Sequence, residues 1–345
     1  MSASRKNSEV ARARPDPAPK PDYRSLEFWL IDGDARPWKQ AAINVVAILG
    51  LPVALGFLFG PTVAIGGFLG ALPGTIGSRR CGPRNTAPFV ILSGLAGLLT
   101  LHFSAFAPAI GAALAMVAGL AGRRGISAPA IFSVVVWTIY TSSLVPAEDG
   151  LQVAAAQLGG LLWSIGVVTI FGTTGEETDS APSRTYAITF GVLFATGIAF
   201  ATWVAQNILT QHGFWFPLCL ALLSLPPHHR YFTRALKRVI GTAIGSLAAF
   251  LLSDLDPPTL LVTVAAIAGF LATQRLMPRS QLIGSAAITF ALVLFIGEHS
   301  PVSQIAIARL LDFAAGAGLA MGLALCGVAV LRLADKDALR ALQQR

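Results

Sequence analysis

Apolar residues in this chain come in long unbroken runs, each closed by Gly, Pro or charge, and not in the alternating or every-third-or-fourth rhythm of a water-facing element. A bilayer core takes about 20 apolar residues per helix, and runs near that length recur from Lys39 to Leu331. They predict twelve spans, at 40–59, 61–77, 86–103, 106–121, 127–145, 151–171, 186–209, 214–227, 236–253, 258–274, 282–297 and 303–331. Helices are expected, because an open strand facing lipid leaves backbone groups unsatisfied and the runs lack a barrel's alternation. The second span of each half is short and interrupted: Pro61 to Gly77 holds Pro73, and Phe214 to Pro227 holds Pro217, Pro226 and Pro227. Paired interrupted spans point to a transport site, although two ordinary short spans read the same way.

The halves correspond at an offset of 153, as from Leu72-Pro73 to Leu225-Pro226. Six spans per half is an even number, so the second half re-enters in the same orientation and the repeats are expected to be parallel. The fold class predicted is an all-α integral membrane protein of two parallel six-helix repeats. Its domains are a basic tail (1–39), a first module (40–171), a linker (172–185), a second module (186–331) and a C-terminal tail (332–345).

Composition agrees, with 54% hydrophobic and 12% charged residues. The net charge of +8 raises nucleic acid as a partner, but the placement of the charge removes the need for one. Every one of the 25 Lys and Arg except Arg309 lies in the tails or in alternate loops, while the intervening loops carry Glu148, Asp149, Asp254, Asp256 and Glu298. The positive-inside rule makes the basic side the cytoplasm, with both termini there, as in a bacterial inner membrane. Cys81, Cys219 and Cys326 have neither disulfide nor metal-ligand spacing and read as packing residues, and no cofactor or metal is expected. The tail, with Pro15, Pro17, Pro19 and Pro21, reads as solvated. Within it Leu26, Phe28, Trp29 and Leu30 read equally as an interfacial anchor or a linker.

Few residues offer chemistry. Arg309 and Asp312 stand three apart inside the last run, where they are expected to pair, with Gly316 a turn further along the same face. Charge within a membrane costs at least about 2.5–3.5 kcal/mol and marks a functional site by default, but at the outer boundary Arg309 reads simply as interfacial. In a site, Arg309 attracts a carboxylate and Asp312 either holds the guanidinium or exchanges a proton. Arg234, Lys237, Arg238 and Thr242 open the ninth span, where they suit an anion mouth or orient the span. Trp215 and Phe216 read as an aromatic belt, or as rings that stack on a substrate. His228 and His229 read as loop residues, as does His299 beside Glu298. No phosphate-binding loop or catalytic set is present, so an enzyme is not expected.

Three segments together carry a resemblance: Trp215-Phe216-Pro217, then Arg234 through Arg238 to Gly241, Thr242 and Gly245, and finally Arg309-Leu-Leu-Asp312 with Gly316. They resemble the fusaric acid resistance, or aromatic acid exporter, family, with the specific motifs confined to the second half. The resemblance implies proton-driven export of aromatic carboxylic acids or other small organic anions. In some members it also implies work with a periplasmic adaptor and an outer-membrane channel. Longer members place a large cytoplasmic domain between the halves, where this chain has only the stretch between Phe171 and Tyr186. Ala156 and Gly159 stand where a counterpart of the charged pair would fall, so the site is single unless subunits combine in a homo-oligomer. A passive organic-anion channel, like the distantly similar plant malate channels, and a non-transporting membrane scaffold are the competing readings.

Overall fold

The computed structural model describes residues 25–172, 183–209, 213–226, 231–297 and 302–343. The proline-rich start, most of the linker, His228, His229, Glu298 and His299 lie outside the described residues. Among the described residues the chain is helical and holds no strand. A short α1 (Leu26–Leu30) precedes α2 (Trp38–Phe59), α3 (Pro61–Cys81), α4 (Pro83–His102), α5 (Ala107–Ala121), α6 (Ser127–Tyr140) and α7 (Gly150–Ile170). There follow α8 (Arg184–Asn207), α9 (Trp215–Leu223), α10 (Tyr231–Asp254), α11 (Thr259–Leu276), α12 (Gln281–Gly297), α13 (Val302–Ala334) and α14 (Lys336–Gln343).

A helix thus stands at each of the twelve expected ranges, but among the described residues eight are long and apolar enough to cross a membrane by themselves. The other four are the second and fifth of each six. Helix α3 runs unbroken for 21 residues through Pro73, so the expectation that it is short and interrupted fails; its five glycines with Arg79 and Arg80 dilute its apolar character. Helices α6, α9 and α12 are short, with 14, nine and 17 residues.

Glycine–proline pairs cut the first three helices apart. Gly60 and Gly82 take φ of 94° and 81°, a region that side chains with a Cβ avoid. Each is followed by a proline at the first helical position, where the missing N–H goes unneeded. At the far end of the chain Ser183 Oγ caps α8 by accepting from Tyr186 N at 3.0 Å, and it donates to Asp335 Oδ2 at 2.7 Å. Asp335 Oδ1 in turn accepts from Ala338 N at 2.9 Å and caps α14. The tail after α13 is therefore a docked helix.

The packing recurs between α2–α7 and α8–α13. Position for position, both sets pair first with second, first with sixth, second with third, second with sixth, third with fifth, third with sixth and fourth with fifth. The two sets meet where α5 lies broadly on α8, α6 touches α9, and α2 touches α11. The main core gathers at the first of these, with Trp137, Phe194, Ile198, Phe216, Cys219, Leu220 and Phe313 all buried. Trp137 donates to Thr100 Oγ1 at 2.8 Å, which satisfies its indole inside that core.

The segment before α2 is built, not a linker. Ser25 caps α1, and Lys237, 1% exposed, reaches out of α10 to the Phe28 carbonyl at 2.6 Å and to Asp32 Oδ1 at 2.7 Å. Its ammonium also stands 5.0 Å from the Phe28 ring. Asp32 Oδ2 accepts from the Gln281 N–H at 2.8 Å and so caps α12. Residues 28–36 form a strap across one end of the bundle.

Candidate anion site

Helix α9 positions the site through its length. Nine residues at about 1.5 Å each make a rod of roughly 14 Å, half of a hydrocarbon core of about 30 Å. Pro217 sits in its first turn, where no intrahelical N–H is required. The first residues of α9 are therefore placed inside the protein: Trp215 and Phe216 are 4% and 5% exposed, Trp215 in a cluster that includes Ile139 and Leu144 and Phe216 in the main core. The aromatic belt expected from their sequence is not formed.

Against this end of α9 lies α13. Gly316 permits the approach: a Cβ there would stand 2.8 Å from Cys219 Cβ and 3.0 Å from the Phe216 carbonyl oxygen. The Cys219 thiol donates to the Phe313 carbonyl at 3.2 Å, a second tie between the same helices. About two turns back along α13 from Gly316, the Arg309 guanidinium lies over the Trp215 ring, 4.1 Å from its centre.

Arg309 is 2% exposed and Asp312 is 8% exposed. They do not pair, since no nitrogen of the one comes within 4 Å of an oxygen of the other. A long helical side chain leans toward the start of its own helix, which carries Arg309 away from Asp312 and onto α9. Arg309 Nε and Nη1 and Trp215 Nε1 are all buried with no hydrogen-bond partner. A cation–π contact contributes about 0.5–2 kcal/mol and leaves those donors unmet. The combination is a desolvated positive charge and three free donors at the start of a helix, whose own partial charge is positive.

Arg234 and Arg238 are not open to an anion in the way their spacing implies. Arg234 Nη1 donates to the Leu225 carbonyl at 3.0 Å, and Arg238 Nη1 to the Leu222 carbonyl at 2.8 Å, with Arg238 Nε at 3.4 Å from Gln281 Oε1. They serve the C-terminal end of α9, where carbonyls lack helical partners and cations are favoured. Lys237 is committed to the strap. Gly241, Thr242 and Gly245 face α12: a Cβ on either glycine would collide with the Leu282 or Ala286 carbonyl, and Thr242 Oγ1 lies 3.4 Å from Thr289 Oγ1. Sequence reasoning missed the Lys237–Asp32 pair, although Asp32 and Asp34, set between the apolar stretch Phe28–Ile31 and the first span, were its signal. It also missed Gln157, buried on α7, which bonds the Val90 carbonyl and Ser93 Oγ and accepts from Tyr140.

Among the described residues no group of His, Cys, Asp and Glu is placed to hold a metal ion. Residues 196–323, which include every residue of the site, match the family described as fusaric acid resistance protein-like. No curated protein and no solved structure matches the chain.

Proposed function

We propose, from the premise that residues 196–323 form a fusaric acid resistance protein-like domain, that this multi-pass membrane protein exports small aromatic or other organic acids from a bacterial cytoplasm, driven by protons. The observation that carries this reading is the buried Arg309, stacked on Trp215 with Nε and Nη1 unmet. An unpaired buried charge is costly, and a carboxylate arriving beside it supplies both the countercharge and the acceptors. Trp215 holds the guanidinium flat on one face and adds an indole donor. Asp312, near enough to feel the same anion, exchanges the proton, so that a protonated Asp312 favours the occupied site and an ionised one repels the anion.

The recurring helix pairings support two parallel six-helix modules, and the reciprocal contacts of α5 with α8 and α2 with α11 support an axis along the membrane normal. The strap end, rich in Arg, is then the cytoplasmic end.

Flux through the purified protein in proteoliposomes tests the reading. Uptake of a hydroxybenzoate is expected to require an imposed pH gradient. Arg309→Gln should lower that uptake about tenfold or more, equivalent to about 1.4 kcal/mol. Asp312→Asn should uncouple it from the gradient while membrane expression is kept. An anion current indifferent to pH would instead establish a channel, and a folded protein with neither flux nor current would establish a scaffold.

A further inference from the structure

A second group of cations, unused by the transport reading, gathers where the strap crosses the seam between α2 and α11. Arg36 donates from Nη1 to the Gln274 carbonyl at 2.7 Å, and its backbone N–H reaches the Arg275 carbonyl at 3.0 Å. Arg275 lies over the Trp38 ring, 4.0 Å from its centre, and its Nη1 stands 3.5 Å from the Arg36 carbonyl. Asn44, 3% exposed, donates to Gln274 Oε1 at 3.3 Å and accepts from Arg79 Nη1 on Oδ1. Arg80 follows Arg79 at the end of α3. Arg79 thus bonds the Asn44–Gln274 amide pair, Arg36 and Arg275 hold the backbone beside it, and Arg80 stands close enough to act on the charge of Arg36.

Acid among the described residues does not balance Arg36, Arg80 or Arg275. Asp32 is committed to Lys237 and to the start of α12, and Asp34 is exposed. Among the described residues no carboxylate stands within 4 Å of Arg36, Arg80 or Arg275. The carbonyl ends of α3 and α11 account for part of the group, but each helix end supplies only about half a negative charge. Two such halves against Arg36, Arg80 and Arg275 alone leave an excess near two. Burial, with Arg79 and Arg80 beside it, pulls Arg36 down to about 10, which still leaves it protonated at neutral pH.

The place selects the chemistry. Helices α2 and α11 lie at the rim of the bundle, each only 22% buried along its apolar length. Their seam is narrow, built on Ile48 and Phe270 with Phe68 at 6.3 Å from the Phe270 ring centre, whereas α5 and α8 join broadly. Guanidinium forks match phosphate oxygens, and lipid phosphates stand at the depth where a span meets its loop.

We infer that Arg36, Arg79, Arg80 and Arg275 bind a phosphate-bearing anion at the end of the α2–α11 seam and clamp α2–α7 to α8–α13 there. A two-phosphate lipid headgroup and a free phosphate share that chemistry. The full chain in nanodiscs of pure phosphatidylcholine, titrated with inorganic pyrophosphate, and in nanodiscs doped with cardiolipin, separates the two sources by thermal unfolding. A raised unfolding temperature with pyrophosphate supports a soluble anion, and one with cardiolipin alone supports a headgroup. The paired change Arg36→Gln and Arg79→Gln should weaken either effect about tenfold or more, while Arg332→Gln, an exposed arginine at the end of α13, should leave it unchanged. Should the paired variant fail to fold, Arg79→Lys, which keeps charge and loses the fork, should weaken binding, and stabilisation of the unaltered chain should fade as salt rises. No stabilisation by either probe, equal stabilisation of the paired variant, equal loss in Arg332→Gln, or salt-independent binding would overturn the inference. Because the readout is binding, it stands or falls apart from flux.

Discussion

Gly316 governs how closely α13 meets α9, so the smallest addition to it has a defined effect. A methyl there enters space held by Cys219 and the Phe216 carbonyl, and overpacking of this kind costs about 1–3 kcal/mol. Gly316→Ala should therefore lower the thermal unfolding midpoint in detergent, and an unchanged midpoint would contradict the contact. Trp215→Phe keeps a ring for Arg309 and removes the indole donor. It should leave stability near that of the parent while weakening hydroxybenzoate binding in a competition assay, and equal affinity would remove the N–H from the site. The oddity of Arg309 was legible in sequence, since it alone among the cations stands away from the tails and the basic loop regions. Its partner was not, because the three-residue spacing to Asp312 describes one helix and carries no information about Trp215 on another. Arg234 and Arg238 misled for a related reason: a cation at the start of one helix reads alike whether it faces solvent or the carbonyl end of its neighbour.

At the scale of elements, hydropathy located the helices and glycine–proline pairs located their ends, as at Gly60-Pro61 and Gly82-Pro83. What composition does not report is depth. Helix α9 is as apolar as a span yet half as long, because its first residues are covered by α6 and α13 instead of lipid. The strap escaped for the opposite reason, being too short and too mixed in polarity to read as an element while packed through one buried ion pair. Removing one member of such a pair costs up to about 3–5 kcal/mol, less here because Asp32 is 22% exposed on its side chain. Asp32→Asn should release residues 28–36, seen as faster amide hydrogen exchange in that segment with α3 to α7 unaffected. Unaltered exchange would show that the strap is held by other contacts.

For the molecule as a whole, the alternation of basic and acidic loops makes a statement about sides that labelling can check. With the native cysteines replaced, Asp34→Cys and Lys336→Cys should react with an impermeant thiol reagent only after the cells are opened, and Glu148→Cys should react in intact spheroplasts. Labelling of all three from one side would refute the topology. The proposed repeat is faint in sequence, with a shared Leu-Pro pair as its main mark, because helix packing in lipid asks for small surfaces and not for particular residues. The recurring helix pairings are the structural support for it. The brevity of α9 has an electrical consequence. A membrane potential drops across low-dielectric protein and not across water, so on the proposed reading water admitted to either end of α9 during transport would compress the field into the roughly 14 Å between Arg309 and the carbonyl end of that helix. On the proposed reading an anion traversing that short stretch collects much of the about 2.3 kcal/mol per 100 mV available to one charge, and a cell interior held negative would itself push the acid outward.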